Sequence, residues 1–218
     1  MKAFVGLFRR RRKIEPRIID PNPLSEMAEE IIRSLNIIPG LHVVDGCAAA
    51  LEEISKQLPK LNNNVKKNPA IPDAYFERGR IFHHYGECMD YAIEDFTTAI
   101  ELAEERKGEV AVEIMYVLRG QCYAYRSWGR SRTSPPRDGD FERAVADFNR
   151  AIELDPDLPA AYNARAFLHE KNGRIEEAIK DYQRALVLLE KWGGEEADIN
   201  GIKQKLAEMN ERVKDGDG

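Results

Sequence analysis

The chain has 218 residues, of which 43% are apolar and 33% charged, and its net charge is −5. This composition is typical of a soluble globular protein, and the length allows one domain with or without extensions. The sequence contains no run of 18 apolar residues, so it predicts no membrane-spanning helix.

The charge is uneven along the chain. The first 17 residues hold seven Lys or Arg and one Glu, which leaves −11 for the remainder. We predict that residues 1–23 form a basic tail and a proline-containing linker. The tail does not resemble a secretory signal, because its short apolar part precedes the charges. A disordered tail, a transit peptide and an anion-binding segment all fit it, and the last would use Arg9, Arg10, Arg11, Arg12 and Lys13.

A pair of helices is predicted over residues 24–61. The first covers 24–38 and ends at Pro39-Gly40. The second covers about 41–58, and we expect Pro59 to end it and Asn62-Asn63-Asn64 to form a loop. We interpret the pair as an N-terminal helical hairpin that shields the following segment, with a degenerate extra repeat as the alternative.

Two motifs then recur three times. The first is Tyr-x-x-Arg followed by a small residue, and it begins at Tyr75, Tyr116 and Tyr162. The second is Ala-[Ile/Val]-x-Asp-aromatic-x-x-Ala-aliphatic, and it begins at Ala92, Ala144 and Ala178. Internal recurrence of this kind predicts an array of similar helical units, each too small to bury its own apolar face.

The residue types of the motifs predict how the two helices of a unit pack. The small residues allow the second helix to approach closely, and they are Gly79, Gly120 and Ala166. The aromatic residues fill the space between the helices, and they are Phe96, Phe148 and Tyr182. Alanines four residues before and three residues after each aromatic residue lie on the same helical face, so each second helix has one buried stripe.

A final amphipathic helix is predicted over residues 195–214. Its apolar residues recur at alternating spacings of three and four, and they are Ile199, Ile202, Leu206, Met209 and Val213. A stacked array needs such a helix to cover its last apolar face.

The two motifs resemble the tetratricopeptide repeat over Pro72 to about Leu189. The resemblance implies an all-α fold, a tetratricopeptide-like right-handed helical-hairpin solenoid with an N-terminal helical hairpin and a C-terminal capping helix. It places the repeats at 72–108, 109–156 and 157–194. The spacing departs from the family period of 34, because Tyr75, Tyr116 and Tyr162 are 41 and 46 residues apart. Most of the second excess is a predicted inserted loop at 128–140.

The sequence offers little for catalysis or metal binding. It contains no G-x-S-x-G, no phosphate loop and no H-E-x-x-H, so we predict no enzymatic activity and no cofactor. His83, His84 and Cys88 are the only cluster that suggests a metal, and too few ligands accompany them for a four-ligand site. Three widely spaced cysteines indicate reduced thiols, from which we predict a cytoplasmic location.

The resemblance also implies a binding groove lined by the first helix of each repeat. The residues that it projects into this groove are Phe76, Arg80, His83, His84, Val117, Gln121, Tyr125, Asn163, Phe167 and Lys171. Chaperone-binding members of the family hold a terminal carboxylate with Lys and Asn where this chain has Phe76 and Arg80, so a chaperone tail is not the expected ligand.

We therefore predict a non-catalytic protein-interaction scaffold that binds a peptide or helix of another protein. The alternative is an RNA-associated or anionic-surface adaptor, which would use the basic tail together with Arg126, Arg130, Arg132 and Arg137 near the inserted loop. Nucleic acid is the less favoured partner, because the chain outside the tail is acidic. Self-association through the open ends of the solenoid is a further possibility.

Overall fold

The computed structural model describes residues 15–27, 46–106, 111–130 and 133–214. Regular structure in these ranges is helical, and the longer helices are α1 (Gly46–Lys67), α2 (Pro72–Tyr85), α3 (Met89–Glu105), α4 (Glu113–Ser127), α5 (Asp140–Leu154), α6 (Pro159–Lys171), α7 (Ile175–Trp192) and α8 (Glu196–Lys214). Residues 22–27 are also helical. The rest of the helix predicted over 24–38, and the predicted repeat boundary at 108/109, lie outside the described residues.

The helices form an array of antiparallel pairs. Each helix from α1 onward packs against the next one in the chain, and α4 also contacts both α2 and α6. The pairs α2–α3, α4–α5 and α6–α7 are therefore the three repeats, and their first helices lie side by side. This all-helical solenoid of hairpins confirms the fold class predicted from the sequence.

Each pair closes around its aromatic residue as the motifs predict. Phe96, Phe148 and Tyr182 are fully buried. A Cβ atom on Gly79 would lie 3.0 Å from the Phe96 ring, and one on Gly120 would lie 2.7 Å from the Phe148 ring. The alanines of the stripe are fully buried in all three second helices, and they are Ala92, Ala99, Ala144, Ala151, Ala178 and Ala185.

The arginine of the first motif and the aspartate of the second form the same ion pair in every repeat. In each pair Nε and Nη2 of the arginine donate to the two carboxylate oxygens, at 2.7–2.8 Å. The pairs are Arg78–Asp95, Arg119–Asp147 and Arg165–Asp181. The fork of a guanidinium matches a carboxylate in one orientation only, so the pair sets the register of the two helices.

The remaining nitrogen of the arginine links its repeat to the previous one. Nη1 of Arg119 donates to Thr97 Oγ1 at 3.1 Å, and Nη1 of Arg165 donates to Asn149 Oδ1. Each acceptor lies two residues after the aspartate of the preceding repeat. One arginine therefore joins three helices: the first helix of its own repeat, on which it lies, the second helix of that repeat, and the second helix of the preceding repeat.

Helix α1 provides the equivalent acceptor for the first repeat. Nη1 of Arg78 donates to Asn62 Oδ1 at 2.7 Å and to the Arg17 carbonyl oxygen at 2.9 Å. The amide of Asn62 also donates to the Ile19 carbonyl oxygen, and Ile19 is buried. Helix α1 thus takes the place of a preceding second helix, which favours the degenerate-repeat interpretation, and the described part of the predicted linker is anchored to the array.

The structure corrects the sequence prediction for α1 in two places. The helix continues through Pro59 to Lys67, and Asn62-Asn63-Asn64, predicted as a loop, is helical. A proline inside a helix removes a hydrogen bond and costs roughly 3 kcal/mol. Leu58 and Val65, on either side of the proline, are fully buried, and this packing holds the helix together beyond Pro59.

Helix α8 covers the end of the array, as the apolar spacing predicts. Ile202 and Met209 are buried in one cluster with Ile175, Ala178 and Tyr182 of the last repeat. The last residue of the predicted stripe, Val213, is 44% exposed, so the covering contact is complete before the helix ends.

The three ion pairs differ in burial, which allows a graded test of their role. The arginine side chains are 1% exposed in Arg78, 16% in Arg119 and 22% in Arg165. We expect Asp95→Asn to lower the free energy of unfolding by about 3–5 kcal/mol, because it leaves a buried cation without its counter-ion. Asp181→Asn should cost about 1–2 kcal/mol, because water reaches Arg165 more easily.

Urea unfolding, followed by circular dichroism and tryptophan fluorescence, measures the three losses. Asp147→Asn serves as the intermediate case. Equal losses at the three positions, or the largest loss at Asp181, would contradict the proposed dependence on burial.

The close approach at Gly120 can be tested separately. We expect Gly120→Ala to destabilise the protein by about 1–3 kcal/mol, because the new methyl group overlaps the buried Phe148 ring. Gly79→Ala should cost less, since its Cβ meets the Phe96 ring at 3.0 Å. Thermal unfolding of both variants gives the comparison. In a Phe148→Leu background the cost of Gly120→Ala should shrink, and an unchanged cost would show that the ring is not the cause.

Candidate groove on the first helices of the repeats

The side-by-side first helices α2, α4 and α6 present half-buried aromatic residues on one surface, which we call the groove. Phe76 lies on α2, Tyr125 on α4 and Phe167 on α6. Each ring also packs against the buried core, so its exposed part is the apolar group that a partner can reach. Aromatic residues of this kind are common anchors of protein interfaces.

The first half of the groove is a cleft of about 580 Å³ between α2 and α4. Its lining mixes imidazoles, aromatic rings, aliphatic side chains and one exposed arginine. The lining residues are Glu77, Arg80, Ile81, His83, His84, Tyr85, Gly86, Leu118 and Tyr125. This volume is sufficient for one or two side chains of a bound peptide.

Burial disfavours the charged form of the His83 imidazole. Burial lowers its pKa below the ordinary value, and the nearby His84 and Arg80 lower it further, against a hydrogen bond with Gln121 that raises it. Arg80 is a cation of the cleft, and its guanidinium lies over the Phe76 ring at 5.8 Å from the ring centroid.

The second half of the groove is a row of rings that crosses from α4 to α6. The Tyr125 and Trp128 centroids are 6.2 Å apart, and the Trp128 and Phe167 centroids are 5.5 Å apart with perpendicular planes. The sequence pattern places Trp128 in the inserted loop and not in the groove. Trp128 directly follows the last residue of α4, one helical turn after Tyr125, and this spacing is the signal that indicates its place beside Tyr125.

Cations lie over the rings of this row as well. The Arg130 guanidinium is 5.4 Å from the Tyr125 centroid. Lys171 and Lys205 each place Nζ 5.1 Å from the Phe167 centroid. Lys205 belongs to α8, so the C-terminal helix contributes to the groove, which sequence analysis did not predict.

Most of the residues projected into the groove are accessible on these helices. Arg80, His84, Asn163 and Lys171 are exposed, and Phe76, His83, Gln121, Tyr125 and Phe167 are partly buried. Val117 is the exception. It is 3% exposed and packs in the core between the first two repeats, so it cannot contact a partner there. The prediction that Val117 lines the groove is therefore wrong, because the side chain is buried in the core shared by neighbouring helices.

Three of the basic residues expected to bind nucleic acid, Arg126, Arg130 and Arg137, lie in the described part of the chain, and all three contact other side chains of the protein. Arg126 is buried and forms a bidentate pair with Asp140 and a further ion pair with Asp90, so the prediction that it contacts an anionic partner is wrong. Arg137 is exposed but also pairs with Asp90. Arg130 takes part in the groove. Arg132 and the tail residues Arg9 to Lys13 lie outside the described residues.

The inserted loop between α4 and α5 has a structural role. Helix α3 begins after Cys88, whose φ of 58° is left-handed, and no side chain of its own first turn caps it. Thr133 Oγ1 accepts a hydrogen bond from the Cys88 N–H at 2.7 Å, and Ser134 Oγ accepts one from the Asp90 N–H at 3.2 Å. The loop of the second repeat thus caps a helix of the first, and Ser134 is fully buried.

Within the ranges that the structure describes, no three His, Cys, Asp or Glu side chains are placed to hold a metal ion. Cys88 and Cys122 are free thiols, and burial raises the pKa of Cys88 to about 11. None of the described helices is long and apolar enough to span a membrane.

The repeated pairs, their motifs and the shared ion pair point to one family. A family model described as "TPR repeat" matches residues 137–173, and one described as "Tetratricopeptide repeat" matches residues 159–191. The chain contains tetratricopeptide repeats. The family named from the motifs is therefore confirmed, and the first tetratricopeptide unit, α2–α3, follows from its identical ion pair and packing.

Curated relatives agree with this assignment. Human tetratricopeptide repeat protein 16 is 22% identical over 169 residues, covering 78% of this chain and 19% of the relative. Human tetratricopeptide repeat protein 6 is 24% identical, covering 69% and 32%. The NADPH oxidase activator of Dictyostelium discoideum is 35% identical over 72 residues, covering 32% and 12%. The chain therefore spans about a third or less of each of these relatives.

Among solved structures, PilW, described as a type IV pilus biogenesis factor, aligns over 89% of this chain and 87% of its own. The sequence identity is 16% and the TM-score 0.41. The tetratricopeptide assignment rests on the family models, the relatives and the motif geometry.

The capping role of the inserted loop in this tetratricopeptide array is testable. Thr133→Val keeps the side-chain size but removes the acceptor for the Cys88 N–H. We expect it to lower the free energy of unfolding by about 1 kcal/mol, as for loss of a helix cap, and to speed hydrogen exchange of the amide at Cys88. In Thr98→Val, the control, the lost hydroxyl donates to the Glu94 carbonyl within α3. Similar exchange at Cys88 in both variants would contradict the capping role.

Proposed function

We propose that this chain is a non-catalytic interaction module that binds a peptide or helix of a partner protein in the groove of α2, α4 and α6. The observation that supports this most directly is the row of partly exposed rings, Tyr125, Trp128 and Phe167, beside the cleft of about 580 Å³. Rings held in place by neighbouring rings lose little conformational entropy when a partner binds, which favours recognition.

The non-catalytic part of the proposal is supported by the motifs. The residues that recur in the repeats have structural roles, in the ion pairs and the core, and the sequence contains no nucleophile, phosphate-loop or metalloprotease motif. In the groove, burial lowers the pKa of His83, and its side chain is hydrogen bonded to Gln121.

Two alternatives from the sequence stay predictions with less support. The adaptor for RNA or anionic surfaces has less support because Arg126 is buried in an ion pair with Asp140, and Arg137 forms an ion pair with Asp90. Self-association through the solenoid ends has less support because Ile202 and Met209 of α8 already cover the apolar face of the last repeat.

The proposal can be tested by selecting a displayed peptide library on the whole chain. Peptides that bind the wild type should bind Phe167→Ala at least about tenfold more weakly, since loss of an anchor contact commonly costs more than 1 kcal/mol. Arg80→Glu, an exposed change that leaves the core intact, tests the other half of the groove.

The matched control is Leu154→Ala, because Leu154 is 40% exposed on α5, a second helix outside the groove. Circular dichroism and thermal unfolding verify that each variant is folded. Peptides that bind folded Phe167→Ala and Arg80→Glu as tightly as the wild type would overturn the proposal.

A further inference from the structure

We propose that the groove selects an acidic partner segment, one whose carboxylates flank an apolar or aromatic anchor side chain. This inference rests on the proposed function and adds the chemical class of the partner. The observation behind it is that the three rings Phe76, Tyr125 and Phe167, one on each first helix, each have a cation over them.

The arrangement recurs in all three repeats. Arg80 lies over Phe76 in the first, Arg130 over Tyr125 in the second, and Lys171 over Phe167 in the third, at 5.1–5.8 Å from the ring centroids. The cations come from different places: a helix, the inserted loop and the last turn of a helix. The presence of a cation over a ring in each repeat therefore does not follow from the repeat motif, because the motif includes none of Arg80, Arg130 and Lys171.

The charge balance of this surface is positive although the chain is acidic. Glu77 pairs with Arg80 at 3.1 Å, and Glu170 pairs with Lys205 at 2.8 Å. Lys171 and Arg130 have no ion pair with any described residue. Asp73 is an exposed acid at the opposite, N-terminal end of α2. Two cations beside exposed ring edges are therefore available to a partner, in a chain whose net charge is −5.

This geometry suits a carboxylate beside an apolar group. A cation held over a ring keeps part of its hydrogen-bonding side directed away from the ring, where a carboxylate can bind it. An apolar side chain next to that carboxylate reaches the ring edge. Because the stacked cation is already restrained, less entropy is lost when the partner binds it.

Single-stranded nucleic acid fits the same surface less well. Base stacking needs a free ring face, but Phe167 has Lys171 and Lys205 over its ring and the Trp128 ring perpendicular to it.

The test begins with the peptides that a displayed library yields on the wild type but not on Phe167→Ala. We expect these peptides to be enriched in Asp and Glu next to a Leu, Phe or Trp. For the tightest of them, synthetic versions with every Glu and Asp changed to Gln and Asn should bind about tenfold more weakly, and added salt should weaken the acidic version most.

The protein side of the test reverses the two available cations. Lys171→Glu with Arg130→Glu should weaken the acidic peptide at least about tenfold and the amide version by less. The control, Lys180→Glu with Arg150→Glu, makes the same change in net charge on exposed residues of α7 and α5, and should change affinity by less than about twofold.

Each outcome separates the two claims. Groove-dependent peptides that are neutral or basic, or that bind equally well as amides, overturn the acidic class and leave the proposed function standing. A library that yields no groove-dependent peptide overturns the proposed function and the inference with it. A labelled twelve-nucleotide oligouridine that binds the wild type tightly, and loses binding with the Lys171 and Arg130 reversal, replaces the acidic peptide with nucleic acid.

Discussion

The bidentate pair between the arginine of the first helix and the aspartate of the second is the constraint on which this structure depends. Two charges buried between helices are costly unless both are satisfied, and satisfaction here needs both helices and the preceding repeat in one register. Arg78, 1% exposed, directs every donor nitrogen to a protein acceptor. An array built only from alanine and aromatic stripes could slide by a turn, whereas the pair admits one arrangement. We infer that it serves specificity of packing as much as stability.

The same constraint leaves the groove free to vary. In each first helix one side is committed to the ion pair and to the close contact at Gly79, Gly120 or Ala166. The opposite side of the helix takes part in neither contact, and its side chains differ from repeat to repeat in size, in charge and in the position of the aromatic residue. The inserted loop lengthens the connection between α4 and α5, and the Arg119–Asp147 ion pair between these two helices is still formed. Its Thr133 and Ser134 instead cap α3, and this contact ties the second repeat to the first.

Charge in this protein is organised by location more than by composition. The arginines near the inserted loop suggest an anion-binding patch when only their number is considered, yet Arg126 and Arg137 balance Asp90 and Asp140. The cations over the groove rings are fewer, but Lys171 and Arg130 are not balanced in this way by the described residues. A chain of net charge −5 can therefore present a positive surface to one class of partner.

By itself the sequence determined the repeated units, because the residues that pack within one hairpin lie close along the chain and recur with helical periodicity. The buried stripes around Phe96, Phe148 and Tyr182, the close approach at Gly120 and the covering helix α8 all follow from local spacing. Tertiary structure decided what depends on distant neighbours. Buried contacts hold α1 together through Pro59, Val117 lies in a core shared by several helices, and Arg126 is buried in ion pairs with Asp140 and with Asp90, which is 36 residues away. Lys205 joins the groove only because α8 packs on the last repeat, and no local pattern indicates that contact.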